Sequence, residues 1–105
     1  MNQQIREQID EVIRSNAVVL FMKGNRAFPQ CGFSARLVEI LEKHVADFRA
    51  VNILEDSAMR QELKEYTDWP TFPQLYVNGQ FVGGSDIVAE LDLQGQLTAL
   101  LKQSE

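Results

Sequence analysis

Apolar residues recur at Ile5, Ile9, Val12 and Ile13, the spacing of one helix face, so roughly the first fifteen residues predict an amphipathic helix packed on a core. Ala17 to Met22 is apolar throughout and short, which suits a central strand covered on both faces, and Gly24 ends it. Phe33, Leu37, Ile40 and Leu41 make one stripe along a second helix from Gly32 to about His44. Phe48 to Leu54 predicts a strand. Asp56 or Ser57 is placed to cap a third helix that turns Met59, Leu63 and Tyr66 inward and stops at Pro70. Leu75-Tyr76-Val77 and Gln80-Phe81-Val82 flank Asn78-Gly79, a strong hairpin signal because both turn residues tolerate positive φ. After Gly83-Gly84, Ser85 or Asp86 caps a helix carrying Ile87, Val88 and Leu91, and a last short helix uses Leu97, Leu100 and Leu101 beyond Gly95.

This order joins a strand-helix-strand unit to an antiparallel hairpin and predicts an α/β fold, a four-stranded mixed sheet flanked by helices. A chain of 105 residues fits one domain over 1–105, with no repeat or linker. Its apolar fraction of 45% and charged fraction of 24% are those of an ordinary globular protein. The longest apolar run is too short to cross a bilayer and the N-terminus is unlike a secretory signal. The expectation is a protein with no membrane partner, in the cytoplasm or another reducing compartment. A net charge of −5 argues against general nucleic-acid binding, which draws its affinity from basic residues.

The lone cysteine is where chemistry enters. Cys31 lies in Pro29-Gln30-Cys31-Gly32-Phe33-Ser34, between a strand that runs into Lys23 and the start of the second helix. Unpaired N–H groups and the positive end of the helix dipole favour thiolate over thiol, and a nearby lysine acts in the same direction. A buried, inert cysteine is the commoner case. Pro, Gln, Gly and Ser around it describe a turn and cap instead.

Other stretches read two ways. Pro73, in Trp69-Pro70-Thr71-Phe72-Pro73, opens the hairpin, and spacing alone predicts a trans bond; a cis bond would turn the N–H and C=O of Phe72 out toward an extended ligand. Gly83-Gly84-Ser85-Asp86 fits a seat for a carboxylate on main-chain N–H groups, but on the motif alone a tight strand-to-helix turn with a capping serine or aspartate is the commoner case. Arg60 and Lys64, one helical turn apart, are a solvated pair or an anion site. His44 is thirteen residues from Cys31, roughly 20 Å along a straight helix, too far for a cysteine-histidine dyad. Neither a zinc spacing nor a Gly-rich phosphate loop is present.

Cys31-Gly32-Phe33-Ser34, Phe21-Met22-Lys23-Gly24, Trp69-Pro70-Thr71-Phe72-Pro73-Gln74-Leu75-Tyr76 and Gly83-Gly84-Ser85-Asp86 together resemble a single-domain monothiol glutaredoxin of the CGFS type. The resemblance runs over nearly the whole chain. It implies a thioredoxin-like fold and, against the reading from spacing, a cis Pro73. It also implies a glutathione site: Lys23 and Arg60 at the glycyl carboxylate, Phe72 and Pro73 along the peptide backbone, Ser85 and Asp86 at the γ-glutamyl end, with the tripeptide sulfur beside Cys31. Two departures stand out. Asn25-Arg26 replaces the common Thr-Pro and adds a charge close to the site, and Ser85 stands where many members carry a second cysteine.

Two functions follow from the resemblance. As a carrier, Cys31 ligates a 2Fe-2S cluster; since such clusters take four ligands, two chains and two glutathiones form a cluster-bridged homodimer that serves iron-sulfur acceptor proteins, often with BolA-like partners. As an oxidoreductase, the Cys31 thiolate attacks a glutathione mixed disulfide and a second glutathione regenerates it. A two-cysteine mechanism is excluded, because Ser34 cannot resolve a disulfide.

Overall fold

A computed structural model describes residues 2–102. Helix α1 (Gln3–Ser15) precedes strand β1 (Val18–Met22), helix α2 (Gly32–His44) and strand β2 (Arg49–Asn52). A short 3₁₀ turn (Ile53–Glu55) leads to α3 (Ser57–Thr67), followed by β3 (Gln74–Val77), β4 (Gln80–Gly83), α4 (Ser85–Leu93) and α5 (Gln96–Lys102). The sheet has the order β2-β1-β3-β4, with β1 parallel to β2 and antiparallel to β3.

Strand β1 is central and all five of its residues are buried, which accounts for the unbroken apolar run. Side chains alternate across it. Leu20 and Met22 pack with Leu37, Leu41, Val88 and Leu97 on the face covered by α2, α4 and α5. Val19 and Phe21 pack with Ile9, Ile13, Met59, Leu63 and Tyr76 under α1 and α3. Each fully buried leucine contributes roughly 1.5–3 kcal/mol relative to exposure, so the central layer fixes the end of β1, where the chemistry sits.

Polar clamps tie the helices together. The buried Glu62 carboxylate of α3 accepts from the Asn2 N–H at 2.6 Å and from Arg6 Nε at 3.0 Å, locking α1 to α3. Asp92 of α4 meets His44 Nε2 at 2.6 Å and Lys43 Nζ at 3.0 Å, and these two partners hold its carboxyl below the usual range. The residue that His44 serves is Asp92, on the neighbouring helix.

Several expectations are corrected. The strand expected over Phe48 to Leu54 stops at Asn52, whose side-chain oxygen accepts from Leu54 N–H and turns the chain into the 3₁₀ element. Phe33, placed on the inward stripe of α2, is 60% exposed, and Ile87 of α4 is 41% exposed. Helix α4 is capped by neither Ser85 nor Asp86: Gly84 occupies the N-cap position, without a side-chain bond, and Ser85 is already helical and buried. Asp56 caps α3 by accepting from Met59 N–H, and α3 ends at Thr67, before Pro70. Asn78 and Gly79 both take positive φ in the hairpin turn, as their identities predict. The peptide before Pro73 is cis, against the reading from spacing and in line with the resemblance.

Candidate functional site

Cys31 is the N-cap residue of α2, with extended backbone, so its side chain folds over the first turn of the helix. Its Sγ accepts from the Ser34 N–H at 3.3 Å and lies 3.3 Å from the Ser34 hydroxyl. Ser34 is fully buried, and its oxygen also accepts from the Lys23 N–H at 3.1 Å, which fastens the end of β1 to the cap. Burial disfavours the Cys31 thiolate. The Ser34 hydroxyl, the N–H groups of Ser34 and Phe33 and, last, the charge of Lys23 outweigh it, so the thiol ionises below its ordinary range. Ser34 was read as part of the capping turn and as an absent second cysteine, not as a partner of the thiol; its spacing of three from the cap was the signal for this bond.

Between Lys23 and Cys31 the chain makes a tight excursion. Gly24 pairs with Pro29, Gln30 N–H donates to Lys23 C=O at 2.8 Å, and Asn25 and Phe28 bond to one another. Gly24 has φ +89°, and a Cβ there would lie 2.5 Å from the Phe28 carbonyl oxygen, so the turn demands glycine. Arg26 does not bring its charge to the thiol. Its guanidinium stacks on Phe48 at 4.0 Å and pairs with Asp47 at 2.8 Å and Glu42 at 3.6 Å. Asp47 and Phe48 precede β2, level with the start of β1, whereas Cys31 and Lys23 lie beyond its end.

Lys23, Phe72, Pro73, Ser85 and Asp86 line a single groove of about 330 Å³, joined by Phe33, Trp69, Thr71, Gly84 and Ile87. Five of the residues singled out from sequence are thus brought together. The exposure of Phe33 and Ile87 has its reason here, since they are apolar walls of the groove. Lys23 supplies a cation on one side. On the other, the uncapped N-terminus of α4 presents main-chain N–H groups, an arrangement that receives a carboxylate without a basic side chain. Arg36 approaches Asp86 to 3.9 Å at this end. Gly84 is packed closely, because a Cβ on it would lie 3.2 Å from Trp69 Nε1 and 3.3 Å from the Pro73 carbonyl oxygen.

Arg60 is not among the residues lining the groove, and its Nε is buried with no hydrogen-bond partner. A larger cavity of about 590 Å³ lies at the other end of β1, between Asn16–Val18 and His44–Arg49; of the residues weighed from sequence for chemistry it holds only His44, which the distance from Cys31 had set aside. Among the described residues, no three His, Cys, Asp or Glu side chains are grouped to hold a metal ion, and no helix is long and apolar enough to cross a membrane.

Comparison with known proteins agrees with this geometry. The Glutaredoxin family matches residues 18–82. A monothiol glutaredoxin of the ycf64-like type from Synechocystis is 47% identical over 102 residues, which cover 97% of this chain and 95% of that one. The mitochondrial monothiol glutaredoxin-5 of Saccharomyces cerevisiae is 43% identical across 100% of this chain and 72% of its own. The solution structure of reduced poplar apo GrxS14 superposes with a TM-score of 0.84 at 50% identity, covering 95% of this chain and 92% of that one. With a thioredoxin-like sheet, one activated thiol at the start of α2 and this similarity over nearly its whole length, the chain belongs to the glutaredoxin family, alongside its monothiol members.

Proposed function

We propose that this protein binds glutathione in the groove beside Cys31 and, as a homodimer, carries a 2Fe-2S cluster to acceptor proteins. The observation that carries the reading is a single thiolate, favoured by its helix cap; Cys31 does not itself line the groove but stands two residues before Phe33, which does, and the groove also holds the Lys23 cation and the uncapped main-chain donors of α4. Glutathione matches that polarity. Lys23 takes the glycyl carboxylate, the main chain of Phe72 next to Pro73 runs along the tripeptide, and the helix start at Ser85 and Asp86 takes the γ-glutamyl end. Arg60 reaches the glycyl carboxylate only after a side-chain rearrangement.

One chain offers one sulfur to the cluster. Four ligands therefore call for two Cys31 thiolates and two glutathione thiolates, and the bound tripeptides bring the second pair to the first. The residues fit this cargo in the chemistry of the donor: a depressed thiol, half-exposed, with no second cysteine to oxidise it internally. A reducing compartment, where glutathione is abundant and thiols persist, is where such a site operates.

The test is anaerobic reconstitution with iron, sulfide and glutathione, followed by the visible spectrum and the solution mass. The reading expects a coloured dimer that reverts to a monomer when the cluster is lost, and no colour from Cys31→Ser. A colourless monomer refutes it. The second reading, favoured by the accessible thiolate, is exchange. Cys31 attacks the glutathionyl sulfur of a mixed disulfide, the partner thiolate leaves, and a second glutathione thiolate then releases oxidised glutathione and restores Cys31. Rapid glutathione-dependent turnover without cluster assembly would promote it.

A further inference from the structure

Gln74 is fully buried in β3, opposite Phe21 of the central strand, with its Oε1 left without a hydrogen-bond partner, an expensive place for a carboxamide unless at least its protons are used. They are. Its Nε2 donates to the Trp69 carbonyl at 3.2 Å and to the Thr71 carbonyl at 3.1 Å, both in the turn that forms one wall of the groove. The second bond has a directional consequence. Thr71 C=O and Phe72 N–H belong to one trans peptide plane, in which they point to opposite sides. Holding the carbonyl on the inner side therefore aims the Phe72 N–H outward. The same turn is braced at its start by Thr67 Oγ1, which accepts from Trp69 N–H at 3.1 Å.

We propose that Gln74 is a positioning residue for ligand recognition: by pinning the Thr71 carbonyl from the core, it orients the Phe72 N–H that pairs with the peptide backbone of glutathione. This rests on the glutathione reading above. Gln74 touches neither ligand nor thiol, so its loss acts on recognition of a peptide-like ligand and leaves the Cys31 cap alone.

Gln74→Met keeps the length and apolar fit without the donors, and Gln74→Glu keeps the shape with an oxygen in place of the amide nitrogen. Reduced protein is mixed in single turnover with oxidised glutathione or with the disulfide of β-mercaptoethanol. In each case the Cys31 thiolate forms a mixed disulfide and one thiolate leaves. The wild type is expected to prefer glutathione. In the folded variants the glutathione rate falls by about tenfold to a hundredfold, the cost of misplacing a recognition group by an ångström or so, while the β-mercaptoethanol rate and its pH profile hold. Undiminished selectivity in a folded variant overturns the role of Gln74, as does an equal loss with both disulfides. A wild type that shows no preference overturns the glutathione reading itself. Should neither variant fold, glutathione is titrated into wild-type protein by NMR. The Gln74 carboxamide protons are expected to shift with the midpoint of the Phe72 amide, and a moving Phe72 amide beside a static Gln74 overturns the proposal.

Discussion

Ser34→Ala isolates what activates the thiol. The change deletes one oxygen, which lies 3.3 Å from Cys31 Sγ and 3.1 Å from the Lys23 nitrogen. A hydrogen bond to a charged acceptor is worth about 1.5–3 kcal/mol. The contact to sulfur is long and Cys31 is half-exposed, so water replaces part of it and the lower end applies. About 1.4 kcal/mol is a factor of ten, so at a given pH the thiolate-to-thiol ratio falls about tenfold. It does not collapse, because the N–H groups of Ser34 and Phe33 and the Lys23 charge remain. The assay is the pH dependence of Cys31 alkylation by iodoacetamide, checked by ultraviolet thiolate absorbance. Lys23→Met is the comparator; its charge is the weakest of the four contributions and is screened by salt, so it moves the profile less. A thiol favoured as thiolate in the folded state adds stability above the ordinary thiol range and loses it as pH falls through the depressed value. Ser34→Ala therefore gains less stability than the wild type on raising the pH. An unmoved alkylation profile in folded Ser34→Ala, or a larger movement in Lys23→Met, refutes the assignment.

Gly24→Ala places a methyl group 2.5 Å from the Phe28 oxygen at φ +89°, so backbone strain of about 1–3 kcal/mol lowers the melting temperature and disturbs Cys31 alkylation; wild-type behaviour in both would contradict the loop geometry. Arg26→Ala removes a cation-π contact and exposed ion pairs, together about 0.5–2 kcal/mol by thermal melting, while the thiol pH profile stays put; a shifted profile would mean that its charge acts on Cys31 after all. The Glu62 carboxyl is held low by the Asn2 N–H first and, on balance with burial, by Arg6. Its stabilisation is therefore full above the ordinary carboxylate range and is lost as pH falls through the depressed value. Glu62→Gln should flatten that acid limb of melting temperature against pH, and parallel curves for the two proteins would argue against the clamp.

Where local rules decided the structure, the sequence was legible. The bounds of α2, Gly32–His44, follow from a capping turn and an apolar stripe, and the Asn78-Gly79 turn follows from two residues that accept positive φ. Where tertiary partners decided, it was not. Phe33 and Ile87 carry the apolar pattern of a core, and that pattern does not distinguish a core face from a groove wall. Asn52 ends β2 by using its side chain on Leu54 and Gly24, which strand propensity does not register. Of the groove residues, Lys23 was legible from its place at a strand end beside Cys31, whereas Phe72, Pro73, Ser85 and Asp86 were favoured only by resemblance to a family; from spacing alone the turn at Gly83-Gly84 and the bond before Pro73 favoured the ordinary alternatives. Ser34 and Gln74 were in plain view as residues, but the roles argued for them depend on what lies within 3.3 Å in the folded chain.

Ser34 also bears on the choice between the proposed carrier and the exchange reading. It sits where a second sulfur would reach Cys31, since residues three apart across a helix start approach within the Cα spacing of about 4.4–6.8 Å that a disulfide needs. A thiolate there would attack a Cys31–glutathione disulfide, expel glutathione and leave an internal disulfide. A hydroxyl cannot take that step. It stabilises the thiolate instead, so the same contact closes the internal oxidative exit and, under the proposed carrier reading, favours the form of the sulfur that binds metal. Ser34→Cys reverses both effects. On oxidation with glutathione disulfide it should lose both titratable thiols without retaining a glutathionyl adduct, and in anaerobic reconstitution followed by air exposure it should hold less cluster than the wild type. If oxidised Ser34→Cys instead keeps one free thiol and a stable glutathione adduct, the 3.3 Å approach of residue 34 to the sulfur does not govern how Cys31 is spent, and the proposed carrier role would have to rest on the groove rather than on Ser34.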